Sequence, residues 1–99
     1  MSVEAIKSKV VQVCRQEGVG RLELFGSRAR SGGVSGRDYD FLAVFDDLPA
    51  EEYSKRYFRT LHGLEDVLGA PVDLLTPGSV KRDSLKRKIE EEKVLVYES

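Results

Sequence analysis

The sequence predicts an α/β or α+β fold in which helices pack on one short β-sheet. Two observations lead to this prediction. Three segments carry apolar residues at helical spacing, and three or four short apolar runs of strand length alternate with them. Such alternation places helices against the faces of a sheet. The 99 residues, of which 40% are hydrophobic, form one domain over 1–99.

The chain begins with a predicted helix over 2–17 and a predicted strand over 21–25. The apolar side chains of the helix recur with a period of about 3.6 residues, and Gly18 is its expected stop. Gly26 ends the strand. Residues 27–30 can then form a short helix before the next break.

The remaining elements alternate in the same way. Their predicted order is a loop over 34–37, a strand over 38–45, a long helix over 49–68, a strand over 72–75, a helix over 80–91 capped by Ser79, and an edge strand over 94–97. The continuous apolar run within 38–45 indicates a strand covered on both faces.

The composition argues against several functions. One cysteine, Cys14, excludes an internal disulfide, and its helical spacing predicts a buried structural thiol. The single histidine, His62, provides neither metal-ligand spacing nor a Ser-His-Asp set. A net charge of −1 predicts no strong nucleic-acid binding. No apolar run is long enough to cross a membrane and no signal-peptide pattern opens the chain, so we expect a cytoplasmic protein.

Charge is nevertheless concentrated near the last predicted helix. This segment is either a solvated, partly self-paired helix face or a docking surface for an acidic partner or for nucleotide phosphates. Its basic residues are Lys81, Arg82, Lys86, Arg87 and Lys88, and three glutamates follow at Glu90, Glu91 and Glu92.

Carboxylates mark two of the predicted strands. Asp38 and Asp40 are two residues apart, so on a strand they share a face at a Cα separation of roughly 7 Å. Two carboxylates at that spacing can converge on Mg²⁺, which prefers hard oxygen ligands. Tyr39 points the other way and is expected to pack. Asp73 lies among apolar neighbours that should be buried, so its carboxylate needs a partner or a metal. Three such groups on neighbouring strands would complete a two-metal site.

Gly26 and Ser27 are candidates for holding phosphate. The missing Cβ of Gly26 would let a phosphate approach the backbone, and the Ser27 hydroxyl would add a hydrogen bond. Free N–H groups of a short helix beginning there would face the same anion. Arg28 and Arg30 follow at once, and either could reach phosphates. A phosphate-binding turn beside a pair of metal-binding carboxylates predicts chemistry on a nucleoside triphosphate.

The spacing of these groups resembles the signature of the minimal nucleotidyltransferases in the DNA polymerase β superfamily. That signature is Gly-Ser, ten residues and Asp-x-Asp, and here the ten residues 28–37 separate Ser27 from Asp38. Stretches 24–30, 40–44 and 72–75 also resemble the family, so the likeness covers nearly the whole chain. It implies the nucleotidyltransferase fold, a short mixed β-sheet flanked by about four helices.

The resemblance also implies an activity, namely Mg²⁺-dependent transfer of a nucleoside monophosphate from a triphosphate with release of pyrophosphate. The stand-alone branch of the family is commonly the antitoxin of a HEPN-domain toxin and transfers AMP from ATP to a tyrosine of that toxin. Carried over by position, the resemblance implies that Asp38, Asp40 and Asp73 are the catalytic residues and bind two Mg²⁺ ions. Asp73 would also help to activate the acceptor hydroxyl. The phosphates of ATP would be bound by Gly26, Ser27, Arg28 and Arg30. The loop between Arg30 and Asp38 departs from the family pattern at two positions. Arg37 occupies the position before Asp38, where the family commonly has serine. Ser31 follows Arg30, where the family commonly has glycine, and the glycines come only at Gly32 and Gly33.

Two other functions remain open on the sequence. The chain could be a non-catalytic antitoxin that neutralises its partner by covering it, or a nucleotidyltransferase acting on RNA or a small molecule. A domain this small should have an open site, whose second wall would come from a partner or from a second copy of the chain. Candidate exposed contact residues are Tyr53, Tyr57, Phe58 and Tyr97, although helical periodicity favours the core for Tyr57.

Overall fold

The computed structural model describes residues 2–33 and 38–99, and in this part of the chain helices alternate with strands as predicted. The predicted loop over 34–37, which includes Arg37, lies outside the described residues. The elements are α1 (Val3–Glu17), β1 (Val19–Phe25), α2 (Gly26–Arg30), β2 (Tyr39–Phe45), α3 (Ala50–Leu68), β3 (Val72–Leu75), a 3₁₀ turn (Pro77–Ser79), α4 (Asp83–Glu92) and β4 (Val94–Glu98).

The four strands form one mixed sheet in the order β3-β2-β1-β4. β1 runs antiparallel to β2 and β4, whereas β2 and β3 are parallel. The parallel pair requires a crossover, which α3 provides. This arrangement confirms the α+β class with a mixed sheet, and it confirms the predicted edge position of the last strand. It also places β2 between β3, which carries Asp73, and β1, which leads directly into the turn at Gly26.

Local signals account for the ends of α1. The Ser2 hydroxyl accepts a hydrogen bond from the Ala5 N–H at 3.2 Å, so Ser2 caps the helix that was predicted to include it. Gly18 ends the helix with φ of +73°, which confirms the predicted stop. Cys14 is buried as predicted, and burial raises the pKa of its thiol to about 12.

The main core lies on the face of the sheet that α1 and α3 cover. Its largest fully buried side chains include Ile6, Leu22, Leu24, Tyr39, Phe41 and Leu64. On α3, Tyr57 packs against this core as expected, whereas Phe58 is 55% exposed and Tyr53 39% exposed. Tyr97 also packs against the core, which makes the prediction of an exposed contact residue wrong there. His62 is exposed on α3, 3.5 Å from Glu65 and outside any site described below.

The opposite face of the sheet is only partly covered. A smaller cluster of Phe25, Val80 and Ile89 lies there, and Leu42 packs against it half-buried. Val44 is 39% exposed. The prediction that β2 is covered on both faces is therefore wrong at its C-terminal end. The short helix α4 shields only part of this face, and the uncovered part is open to solvent.

The last helix begins later than predicted. Ser79 does not cap it, because its hydroxyl donates to the Thr76 carbonyl at 2.8 Å and accepts from the Thr76 N–H at 3.1 Å, closing the 3₁₀ turn. Val80 then runs extended into the smaller apolar cluster, and α4 starts at Asp83. Among the described residues, no helix combines the length and the apolar character needed to cross a bilayer.

Candidate active site

The register of the strands determines which candidate residues lie next to one another. Asp40 pairs with Asp73 in the parallel β2–β3 ladder and with Phe25 in the antiparallel β1–β2 ladder. Residues in register on neighbouring strands point to the same face. Asp40 and Asp73 therefore lie side by side, next to the turn that begins at Gly26.

The three predicted carboxylates differ in exposure. Asp38 is exposed and immediately precedes β2, which starts one residue later than predicted. Asp40 is half-buried. Val72 and Leu74 are buried as predicted, but Asp73 between them is exposed, because alternate residues of a strand face opposite ways. Asp73 thus faces solvent on the open side of the sheet rather than being enclosed.

Electrostatics links these groups. Burial raises the pKa of Asp40 above its ordinary value, and the negative charges of Asp73 and Asp38 raise it further. Lys88 and Arg30 act in the opposite direction. The three carboxylates are therefore within electrostatic range of one another, and two basic side chains come from α4 and α2.

This set of donors fits Mg²⁺. Across residues 2–33 and 38–99, no three acidic, histidine or cysteine side chains come close enough to form a ready-made metal cluster. Mg²⁺ does not require one, because it is usually held by one or two carboxylates together with water and substrate phosphates. The mutual repulsion at Asp40 is a cost that a bound cation would relieve. Asp38, Asp40 and Asp73 are the candidate ligands, and one or two of them, together with water and phosphate oxygens, would hold each ion.

Gly26 is required at its position for a reason that the sequence did not reveal. Its φ is +75°, a conformation that other residues rarely adopt. A Cβ there would collide with the Asp40 carboxylate, reaching Oδ2 and lying 3.1 Å from Cγ. The glycine thus makes room for a carboxylate of the site as well as for any anion that approaches the turn. Ser27 follows it in α2, half-buried.

The two arginines of α2 lie on different sides of β2. The Arg28 guanidinium lies 4.0 Å from the centroid of the Tyr39 ring, which is 1% exposed and stacks on Phe41. Tyr39 faces the core as predicted, so the structure does not bring Arg28 to the carboxylates. Arg30 instead lies close enough to Asp40 to lower its pKa.

Two further residues, Lys88 and Glu92, approach the site from α4. The Glu92 carboxylate accepts from the Gly26 N–H at 3.2 Å and from Arg30 Nη1 at 2.7 Å. The only sequence signal for them was the charged run near the last helix. These contacts join residues 66 and 62 positions apart, which no local pattern predicts.

A pocket of about 320 Å³ lies between β2, the 3₁₀ turn and α4. Leu42 contributes to its wall and lies two residues from Asp40 on the same face of the sheet. The volume is at the lower end of the roughly 300–1,000 Å³ typical of small-molecule sites. The other lining residues are Pro77, Val80, Lys86, Ile89 and Glu90.

Fold and site together define a nucleotidyltransferase. The chain belongs to the family described as the nucleotidyltransferase domain, whose model matches residues 7–96. It is therefore an enzyme of that class.

Two relatives from Methanocaldococcus jannaschii carry the provisional name protein adenylyltransferase. One is 35% identical over 75 residues, which cover 76% of this chain and 74% of the relative. The other is 34% identical over 80 residues, covering 81% and 83%. The chain thus resembles these proteins over most of their length.

Solved structures give the same fold. A structure described as a minimal nucleotidyltransferase superimposes with a TM-score of 0.72 at 26% identity, covering 95% of both chains. A toxin–antitoxin structure with AMP-PNP gives 0.69 at 18% identity, covering 94% of this chain and 73% of that one. A complex of a tri-AMPylated HEPN toxin with an MNT antitoxin from Shewanella oneidensis gives 0.67 at 17%, covering 98% and 73%.

Proposed function

We propose that this chain transfers AMP from ATP to a tyrosine hydroxyl of a HEPN-domain toxin and thereby acts as its antitoxin. The observation that carries the proposal is the registered pair Asp40 and Asp73 beside the Gly26 turn. The relatives named protein adenylyltransferases support AMP as the transferred group. The similar toxin–antitoxin structures, one with AMP-PNP and one with an AMPylated toxin, support the partner.

The chemistry is a displacement at the α-phosphorus of ATP. The acceptor oxygen forms a bond to that phosphorus, the bond to the bridging oxygen of the β-phosphate breaks, and pyrophosphate leaves. The acceptor hydroxyl gives up its proton during the step. Asp73 is the exposed carboxylate of the pair, so it is the group best available to receive that proton.

The remaining residues bind and orient ATP. Mg²⁺ held by Asp38, Asp40 and Asp73 would neutralise charge on the triphosphate and so favour the displacement. The Gly26–Ser27 turn and Arg30 would contact the phosphates. The pocket beside Leu42 offers an apolar surface for the nucleobase.

A protein acceptor fits this chain better than RNA. The net charge of −1 gives no general attraction for a polyanion. The carboxylates lie on the partly uncovered face of the sheet, so a docked partner can bring its own hydroxyl to them. ATP and Mg²⁺ are both abundant in the cytoplasm, where we place the reaction.

The test uses purified protein, Mg²⁺ and ATP labelled at the α-phosphate, added to lysate of the host or to the co-expressed toxin. We expect one labelled protein with the wild type and none with the Asp38→Asn, Asp40→Asn double variant. ATP labelled at the γ-phosphate should leave the same band unlabelled, which separates AMP transfer from phosphorylation. Mass spectrometry then identifies the modified side chain.

Asp47→Asn is the matched control, because Asp47 is an exposed carboxylate just beyond the other end of β2. It should label as the wild type does. If wild type and double variant both neutralise the toxin and neither labels it, neutralisation is by masking and the proposal is wrong. Label recovered in RNA or in a small molecule would instead reassign the acceptor.

A further inference from the structure

One side chain that the mechanism does not use connects two parts of the candidate phosphate site. Glu92, the last residue of α4, has one carboxylate oxygen 3.2 Å from the Gly26 nitrogen and the other 2.7 Å from Nη1 of Arg30. Both partners donate to it. Its side chain is only 17% exposed, which is low for a glutamate.

The bridge lies where the sheet and α4 meet. β4 begins two residues after Glu92, and its first residue pairs with Leu24 of β1. The Glu92 carboxylate thus extends the contact between β1 and β4 two residues beyond the Leu24–Val94 pair, onto the N–H of Gly26. The hydrogen bond from Arg30 is the main reason that the pKa of Glu92 lies below its ordinary value. The carboxylate is therefore held in its charged form.

We propose that Glu92 is a positioning residue for nucleotide binding, which fixes the Gly26 turn and aims the Arg30 guanidinium toward the triphosphate. The inference rests on the proposed function, in which this turn and Arg30 contact phosphate. An arginine has five N–H donors in a rigid fork. Glu92 engages Nη1, so other donors of Arg30 stay available to an anion while the side chain is held in place.

The sign of the effect separates positioning from competition. Glu92 carries a negative charge beside a site for a polyanion, so neutralising it should by Coulomb attraction alone strengthen nucleotide binding. If Glu92 merely occupied donors that ATP must take over, its removal should also strengthen binding. Weaker binding by a variant that stays folded is the result expected if the side chain organises its partners.

The experiment compares Glu92→Gln with the wild type. Glutamine keeps the length of the side chain but has only one acceptor oxygen for two donors. Calorimetry with Mg²⁺ and AMP-PNP should give a Kd raised by about tenfold, as expected for the loss of one charge-assisted hydrogen bond. Glu91→Gln, an exposed neighbour on α4 with the same change in charge, should leave Kd unchanged or slightly lower.

A second measurement does not depend on activity. In the Glu92→Gln variant the backbone amide signal of Gly26 should shift in the nucleotide-free protein, while amides in the α1–α3 core keep their positions. In an Arg30→Gln background, Glu92→Gln should weaken binding by much less than it does in the wild type, because the two residues act as a unit.

The outcomes are distinct from those of the transfer assay. Unchanged or tighter binding by Glu92→Gln, in a variant that unfolds at the wild-type temperature, overturns the inference. Wild-type protein that binds AMP-PNP but labels no protein overturns the proposed acceptor. The role of Glu92 in nucleotide binding is then still decided by the ratio of the Kd of Glu92→Gln to that of the wild type. Wild-type protein that binds no nucleotide overturns both.

Discussion

Asp40 and Asp73 are neighbours in the parallel β2–β3 ladder, and both carboxylates lie on the partly uncovered face of the sheet. Burial is the largest cause of the raised pKa of Asp40, and the charge of Asp73 is the next. A fold selected for stability alone would gain by replacing one of the pair. The arrangement makes physical sense if a cation and a triphosphate are bound there, because only then is the repulsion compensated.

The first prediction concerns Asp40→Asn. We expect AMP transfer to fall by more than about 100-fold, because a ligand for the metal is lost. The unfolding temperature without metal at pH 7 should stay the same or rise, because the variant no longer carries an ionised carboxylate that burial and Asp73 disfavour. Thermal unfolding and the α-label assay on one preparation check both. A marked fall in unfolding temperature would contradict the electrostatic account.

The second prediction is a pH dependence. Because the folded-state pKa of Asp40 is raised above its unfolded value, its unfavourable contribution to stability is present at neutral pH and is relieved as pH falls through the folded pKa. Mg²⁺ binding should weaken over the same range, since protons compete for the oxygens. NMR titration of the Asp40 carboxyl carbon should give a lower pKa in Asp73→Asn, still above the ordinary value because burial remains. An identical pKa in both proteins would exclude coupling between the two.

The third prediction compares two glycines with positive φ. Gly69→Ala should cost about 1 kcal/mol of unfolding free energy for its backbone conformation, since φ is +64° and nothing lies within 4 Å of the new Cβ. Gly26→Ala has a similar φ but also drives Asp40 from its place. We expect a larger loss of stability and little remaining transfer activity. Urea unfolding and the labelling assay test this, and equal losses in both variants would show that the Asp40 contact is unimportant.

The fourth prediction concerns the attachment of β3 to α3. The Tyr57 hydroxyl donates to the Leu74 carbonyl at 2.5 Å, next to Asp73 in the chain. Tyr57→Phe removes only that donor and should lower the unfolding free energy by about 1 kcal/mol. Tyr53→Phe, at a more exposed position of the same helix, should cost almost nothing. Equal unfolding free energies for the two variants would assign the stability of this region to packing rather than to the hydrogen bond.

Most of the helices and strands could be predicted because the residues that start, stop and pattern each of them lie close together in the chain. The helical period of 2–17, the stop at Gly18 and the strand over 72–75 all appear in the structure. The predicted start of α4 was wrong for a physical reason. Ser79 is a good cap by type, but its hydroxyl is taken by Thr76, and Val80 is drawn into an apolar cluster that only the folded chain creates. The prediction that β2 is covered on both faces was wrong at its C-terminal end, because the apolar residues of a strand do not indicate how much of it the helix packed on it covers.

The sequence by itself determined that Gly26, Ser27, Asp38, Asp40 and Asp73 would stand at the ends of strands or along them, since spacing and alternation are properties of the chain. Only the tertiary structure decided which of these and which other residues meet. Strand order brought Asp73 into register with Asp40, the packing of α2 placed Arg28 over the buried Tyr39 ring, and the α4–β4 junction brought Glu92 to Gly26 and Arg30. Contacts between residues more than sixty positions apart depend on how the elements pack, and packing depends on the surface of the whole sheet rather than on any one segment.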